Sequence, residues 1–476
     1  MPNYISTRGA SAIVDSASAV LDCYAADGGL YVPEQLPKLD YADMLGLDYA
    51  ARVDRVLRAF FDFDVGGIAD KAFGGTDDIA PTVKIDDNAF FLELWHGKTC
   101  SSKDMALSVL PMLIERAKAA VGIKSDILLA LSACGDGAAS AAEAFTSAHG
   151  TRLCVFYPRG DTDDITRLEL SSIKSDNVRI TGVESDYSAI HAAVRAAHSD
   201  GGLIAALKEN NIKLSAADGI NIGVIVPQIA YFFSAYCDLV NSDEIKSGDR
   251  IDFILPVDNF GGVIAGYYAA KMGLPVNKLV LASERCELAE FIDSGEYDVN
   301  IVSECGAPVF DNLERLIFDL SGNNAALTSE RMKELGESGR FSVSETEAGK
   351  LHDLFAGSVV FYEDKQNAIA YMFDEFDYLV DDVTALACAA ALDREFVRPT
   401  VILSVMDPYR TAAKVMDALG QSLPFDDEKL FKNMESLTLT DAPERLKELV
   451  GQSPPQVEAI PVHSIASVLT DRIKNK

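Results

Sequence analysis

Twice in this chain a short apolar run ends in a glycine turn that opens onto a helix-like stretch. "DILLALSA" (Asp126 to Ala133) meets "CGDGAAS", and "RIDFILPV" (Arg250 to Val257) meets "DNFGG". A run so short and so apolar reads as a strand covered on both faces, as in a parallel sheet flanked by helices. "RLCVFYP" (Arg152 to Pro158), "NVRITGVE" (Asn177 to Glu184) and "KLVLASE" (Lys278 to Glu284) repeat the pattern, with helical stretches between them. The alternation predicts an α/β fold with a largely parallel sheet. Glycines at such turns let backbone N–H groups approach a ligand, and the helix N-terminus favours an anion. The same glycines also serve tight turns without a ligand, so the motif alone leaves both readings open.

The chain has 476 residues, 48% of them hydrophobic. That length suggests about two to four domains. Residues 1–82 read as an N-terminal segment, largely helical after "DGGLYVPEQLP". The block 121–215 holds its own βαβ units and reads as a smaller domain inserted into a larger one made of 83–120 plus 216–476. From about Ser321 onward, acidic helices surround one clear strand, "TVILSVM" (Thr400 to Met406).

The net charge of −31 repels nucleic acid and anionic membranes. No uninterrupted apolar run reaches about 18 residues, and the N-terminus lacks a signal-peptide shape. The expectation is a soluble, cytoplasmic protein with neither nucleic-acid nor membrane partners. Eight cysteines form no C-x-x-C pair and six histidines are scattered, so no metal site is expected.

One lysine draws attention. Lys103, in "ELWHGKTCSSKDMALSVL" (Glu93 to Leu110), stands at the start of a helix, where amide dipoles disfavour a cation. Ser101 or Ser102 can cap that helix, and Asp104 suits its first turn. Met105, Leu107, Leu110, Leu113 and Ile114 give it an apolar face. Desolvation and the dipole together would favour a neutral amine, the form that attacks a carbonyl. A solvated surface lysine is the bland reading. In "CGDGAAS", Asp136 reads as a helix N-cap or a ligand contact, and Cys134 as a dipole-activated thiol or a space-filler.

Several stretches together resemble the threonine synthase family. They are "YISTRG" (Tyr4 to Gly9), "DGGLYVPEQLP" (Asp27 to Pro37), "ELWHGKTCSSKDMAL", "INIGVIVPQIAYFFSAY" (Ile220 to Tyr236), "NFGGVIAGYYAAKMGLPVNKLVLAS" (Asn259 to Ser283) and "NLERLIFDLSG" (Asn312 to Gly322). The resemblance runs in order from Tyr4 to about Gly420. It implies a pyridoxal-phosphate (PLP) enzyme of fold type II, the tryptophan-synthase β type, as a monomer or homodimer acting on a small amino acid. The implied reaction converts O-phosphohomoserine to threonine.

Lys103 falls on the family's cofactor-bearing lysine. Gly135, Asp136, Asn259, Phe260, Gly261 and Gly262 fall on cofactor contacts, and Thr99 and Asn221 on substrate contacts. Departures cluster at the ligand. Lys98 replaces a proline, and Asp258 enters the phosphate loop. Asp218, Gly219 and Val224 replace an asparagine, a serine and a phosphate-gripping arginine, and Val405 replaces a threonine facing the cofactor ring. The scaffold motifs persist while the contacts change. The alternatives to threonine synthesis are therefore a related PLP enzyme acting on a different, non-phosphorylated amino acid, or a degenerate, non-catalytic relative.

Overall fold

Phe253, Ile254 and Leu255 are all buried, as a strand covered on both faces requires. They belong to Ile251–Pro256, an inner strand of a six-stranded sheet with parallel neighbours on both sides. The computed structural model describes residues 2–75, 78–160, 162–257, 259–300, 310–394, 396–452 and 459–473. Across the sheet the order is Phe355–Val359, Val276–Ser283, Ile251–Pro256, Thr400–Ser404, Ala89–Glu93 and Thr82–Asp86. Phe253 lies opposite Leu279 on one side and Val401 on the other. Only the last strand runs antiparallel. It carries Lys84 and Asp86 and sits at an edge, where polar side chains discourage further pairing.

A second sheet has five parallel strands, in the order Ala459–Ile460, Val178–Val183, Thr151–Pro158, Asp126–Ser132 and Ile212–Ala216. Leu128, Ala130, Cys154 and Phe156 on one face of this sheet pack with Ile190 and Val194 of helix Tyr187–Ala197. Four of its strands fall inside the predicted block 121–215, but the fifth comes from the far end of the chain. Ala459 and Ile460 pair with Gly182 and Val183, and helix Ile465–Asp471 packs against helices Tyr187–Ala197 and Gly201–Glu209. Residues 459–473 therefore go with the second sheet and not, as expected, with the large domain. A two-residue strand carries no periodicity to announce it.

The N-terminal segment is not wholly helical. Asn3–Ser6, Val14–Asp15 and Tyr31–Pro33 form an antiparallel sheet beside helices Ser16–Asp22, Tyr49–Phe60 and Ile68–Phe73. Helix Ile222–Asn241 is long and apolar enough to cross a membrane, although Gln228 and Ser234 interrupt its apolar run. Here it is a core helix, packed against Gly261–Met272 and Tyr49–Phe60.

Candidate functional site

The carboxyl ends of strands from both sheets converge on one cavity of about 530 Å³. This is where open parallel sheets bind ligands. Leu131 to Cys134 and Ala217 to Ile220 line it from the second sheet; Leu255 to Val257, Ser283 to Arg285, Leu403 and Val405 line it from the first.

Lys103 lines this cavity and is half-buried. Its turn is built from groups that face away from the cavity. The buried Asp104 accepts from the Thr99 N–H at 2.6 Å and the Thr99 hydroxyl at 2.8 Å. Thr99 Oγ1 also meets Ser140 Oγ at 2.6 Å. The Ser102 N–H donates to the Val405 carbonyl at 2.7 Å, and the Asp407 N–H to the Cys100 carbonyl at 3.1 Å. Ser101 Oγ accepts from the Lys103 N–H at 3.1 Å, which steadies the turn, but Lys103 itself is the N-cap and neither Ser101 nor Ser102 caps the helix as expected. The helix itself is brief, Asp104–Leu107, and resumes at Leu110–Val121 with a proline in its first turn. Met105, Leu107, Leu110, Leu113 and Ile114 are buried, as the apolar face predicted.

Opposite this turn, helix Gly261–Met272 presents its N-terminus. Phe260 and Gly262 line the cavity with Asn259, whose Oδ1 accepts from the Gly261 N–H at 2.9 Å. A Cβ on Gly261 would come within 3.0 Å of that oxygen. The Gly261 amide is already bonded, and Gly262 is the bare glycine whose backbone lines the cavity at this helix N-terminus. Asp258 lies outside the described residues. On the second sheet, Asp136 lines the cavity and accepts from the Gly137 N–H at 2.9 Å and from the Ser101 hydroxyl. It is not the N-cap: Cys134 holds that position, and Gly135 takes the left-handed φ of +55° that begins helix Gly135–Phe145.

Four of the expected contacts are not in the lining: Gly135 and Gly261 lie behind their lining neighbours, and Thr99 and Asn221 are turned elsewhere. Thr99 is fully buried in the Asp104–Ser140 bonds. Asn221 is fully buried too; it caps helix Ile222–Asn241 through the Gly223 N–H and donates to the carbonyls of Val20 and Ala216. Neither belongs to the cavity lining: side chains of Asp104 and Ser140 take up the Thr99 hydroxyl, and backbone groups take up the Asn221 amide. Val224 and Val405 do line it. Lys98 is exposed and lies 3.7 Å from Glu143, so it adds no charge to the cavity.

The structure also assembles charged groups that the motifs did not reveal. His191 Nε2 pairs with Asp311 at 2.8 Å, and its other ring nitrogen meets Ser132 Oγ at 2.9 Å. Arg195 holds the second Asp311 oxygen at 2.7 Å. Burial opposes the charge of His191, but Asp311 outweighs it and raises the imidazole above its ordinary value. Asp218, a departure from the family pattern in "DGINIGV", is half-buried and faces the cavity, and desolvation pushes its carboxyl up to about 6. On another wall of the cavity, Lys365 bridges Glu284 at 2.7 Å and Asp382 at 3.2 Å. Arg285 pairs with Glu287 and lies 3.9 Å over the Phe310 ring. These partners come from distant parts of the chain, so no local spacing advertises them.

Comparison with known proteins agrees with this geometry. The family profile described as threonine synthase N terminus matches residues 3–69. The threonine synthase of Pseudomonas aeruginosa is 32% identical over 460 residues, covering 92% of this chain and 95% of that protein. Human threonine synthase-like 1 is 28% identical over 432 residues, 85% of this chain and 58% of that longer protein. The PLP-bound threonine synthase structure from Brucella melitensis superposes with a TM-score of 0.84 at 25% identity, over 100% of this chain and 99% of that one. The yeast enzyme gives 0.84 at 24% identity, over 99% and 98%. With its parallel sheets, its cavity at their carboxyl ends and the likeness extending over nearly the whole length, the chain belongs to the threonine synthase family.

Proposed function

We propose that this protein is a PLP-dependent carbon–oxygen lyase of the threonine-synthase type, with Lys103 as the residue that carries the cofactor. One observation supports this above all. The Lys103 side chain and the glycine-bare N-terminus of helix Gly261–Met272 line the same cavity, whose volume is typical of a cofactor site. An amine for an aldehyde and a ring of amides for a phosphate make a donor set that fits PLP. Asn259, Phe260, Gly261 and Gly262 would hold the phosphate, with Asp136 and Val405 among the remaining walls. When bound, the cofactor supplies an electron sink for charge developing next to the substrate's amino group.

The chain's own residues do the rest. The Lys103 amine is the group that takes and returns the proton at the substrate α carbon. Thr99, Asp104 and Ser140 fix the turn that aims it. Phe260 and Phe310, with ring centres 5.5 Å apart, keep water from one wall.

The family substrate is O-phosphohomoserine. A second reading, a non-phosphorylated amino acid, is favoured by Asp218 and Asp311 in the lining and by Val224, which offers no grip on a phosphate.

The test is direct. Purified protein mixed with excess PLP is expected to show a lysine-bound cofactor band in its visible absorbance, and Lys103→Ala should abolish it. Absence of the band in the wild-type protein would leave the non-catalytic relative as the answer. If the band forms, phosphate release from O-phosphohomoserine separates the two substrate readings.

A further inference from the structure

We propose that the cavity receives an amino acid whose side chain ends in a hydrogen-bond donor without negative charge, a hydroxyl or an ammonium, and that Asp218 is its receptor. The proposal rests on the reading above only in taking the ligand to be an amino acid.

Among the described residues, five carboxylates line the cavity: Asp136, Asp218, Glu284, Asp311 and Asp382. Four have side-chain donors. Asp311 is held by His191 and Arg195, Glu284 by Lys365, Asp382 by Lys365 and Lys414, and Asp136 by the Ser101 hydroxyl. Asp218 differs. Among the described residues its carboxylate accepts one backbone bond, from the Ile220 N–H at 3.2 Å. A carboxylate accommodates about four donors, so this half-buried group has unused capacity on the cavity side.

The surroundings exclude a dianion at this end. The His191 and Arg195 cations are both committed to Asp311. Arg285 is committed to Glu287. A phosphate here would face Asp218 in a low-dielectric cavity, where like charges repel strongly. A hydroxyl or ammonium instead donates to Asp218 and satisfies it. Val224, beside it in the lining, is 7% exposed and contributes no charge of its own.

Calorimetry on the full chain, with and without PLP, decides the point. The probes are homoserine, 2,4-diaminobutyrate and O-phosphohomoserine. Homoserine or diaminobutyrate is expected to bind at least about tenfold more tightly than phosphohomoserine, as one charge-assisted hydrogen bond warrants. Asp218→Asn should weaken diaminobutyrate by about tenfold or more. A larger loss for diaminobutyrate than for homoserine identifies ammonium as the preferred group, and equal losses identify hydroxyl. Val224→Arg, which adds a cation to the same wall, should shift the ranking toward phosphohomoserine. Tightest binding of phosphohomoserine by the wild-type protein, no measurable binding of any probe, or an unchanged ranking in Asp218→Asn overturns the proposal. A missing cofactor band overturns only the cofactor reading, because the ranking is also read on PLP-free protein.

Discussion

Asp218→Asn should stabilise the protein at alkaline pH and leave its stability unchanged at strongly acidic pH. The reasoning begins with desolvation. The folded carboxyl titrates at about 6, against 3.8 for its ordinary value. Burial is the largest cause; the positive His191 pulls the value down and Asp311 pushes it up. Tyr24 and Cys23 at the end of helix Ser16–Asp22 and Tyr187 on the helix of His191 are close enough to feel the same charge. A folded value above the unfolded one means that the native chain holds a proton which the unfolded chain has released. Wild-type stability is therefore lost as pH rises through the window from about 4 to about 6. Above that window the charged form carries the whole penalty. A shift of about two pH units corresponds to about 3 kcal/mol, and this is an upper bound on the gain from asparagine. The assay is denaturant unfolding of both proteins over a pH series, reading their difference at each pH. The expected difference is near zero at the acid end and grows to between about 1 and 3 kcal/mol above neutrality. A pH-independent difference, or a variant that is the weaker protein at alkaline pH, would refute the claim that this carboxylate is desolvated. The same variant is predicted to lose its preferred ligand, the usual trade between a strained site and function.

Three further outcomes follow from the packing. Arg410→Met should cost about 3–5 kcal/mol in denaturant unfolding, because it removes the two-pronged grip on Glu169, whose side chain is 1% exposed, and leaves it the longer Arg445 contact at 3.7 Å. Replacing Glu169 with leucine in the same chain should recover much of that loss. Gly266→Ala should cost about 1–3 kcal/mol, since the new Cβ would lie 2.9 Å from the Phe232 ring in the core. Glu347→Ala should destabilise the protein near neutral pH, with the difference vanishing as the pH falls through about 2. Arg331 holds the Glu347 carboxyl down there, so its stabilising contribution is present above the ordinary glutamate value and lost on acidification.

The inner strands were legible because burial on both faces leaves an apolar run, as in Asp126–Ser132 and Ile251–Pro256. Phe355–Val359 was not, because it is an edge strand interrupted by Gly357 and Ser358. Gly357 is there because a Cβ would press against the backbone of Ala289 at 2.7 Å, a contact between elements that no local pattern records. The same holds at the site. Lys103 and the Asn259–Gly262 turn were legible as motifs and do share a cavity. Thr99 and Asn221 were read as ligand contacts, but a threonine or an asparagine that binds backbone and neighbours looks the same in sequence as one that binds a substrate. Asp218 was legible as a departure from the family pattern, but His191 and Asp311 left no signal, since an ion pair between a helix of the second sheet and a loop before helix Leu313–Leu320 is written only by the fold.

The position of Lys103 and the identity of the substrate are physically separable. Bonds from Thr99, Ser101, Ser102 and Asp104 hold the lysine turn, together with the Arg410 guanidinium, which donates to the Thr99 carbonyl at 2.7 Å while gripping Glu169 of helix Asp164–Ser172. None of these contacts uses the side chain of Val224, Val405 or Asp218. Exchanging those three residues changes what the cavity repels and attracts without moving the amine, so retention of the lysine constrains the type of cofactor chemistry and says little about which side chain the substrate carries. The reverse holds as well. Asp218 can be altered without loosening the turn, because its recorded bond goes to Ile220 and not to the lysine loop. Substrate choice in this protein is therefore to be sought in the charge of the far wall, and a variant there should shift the ranking of ligands while leaving the Lys103-dependent absorbance in place.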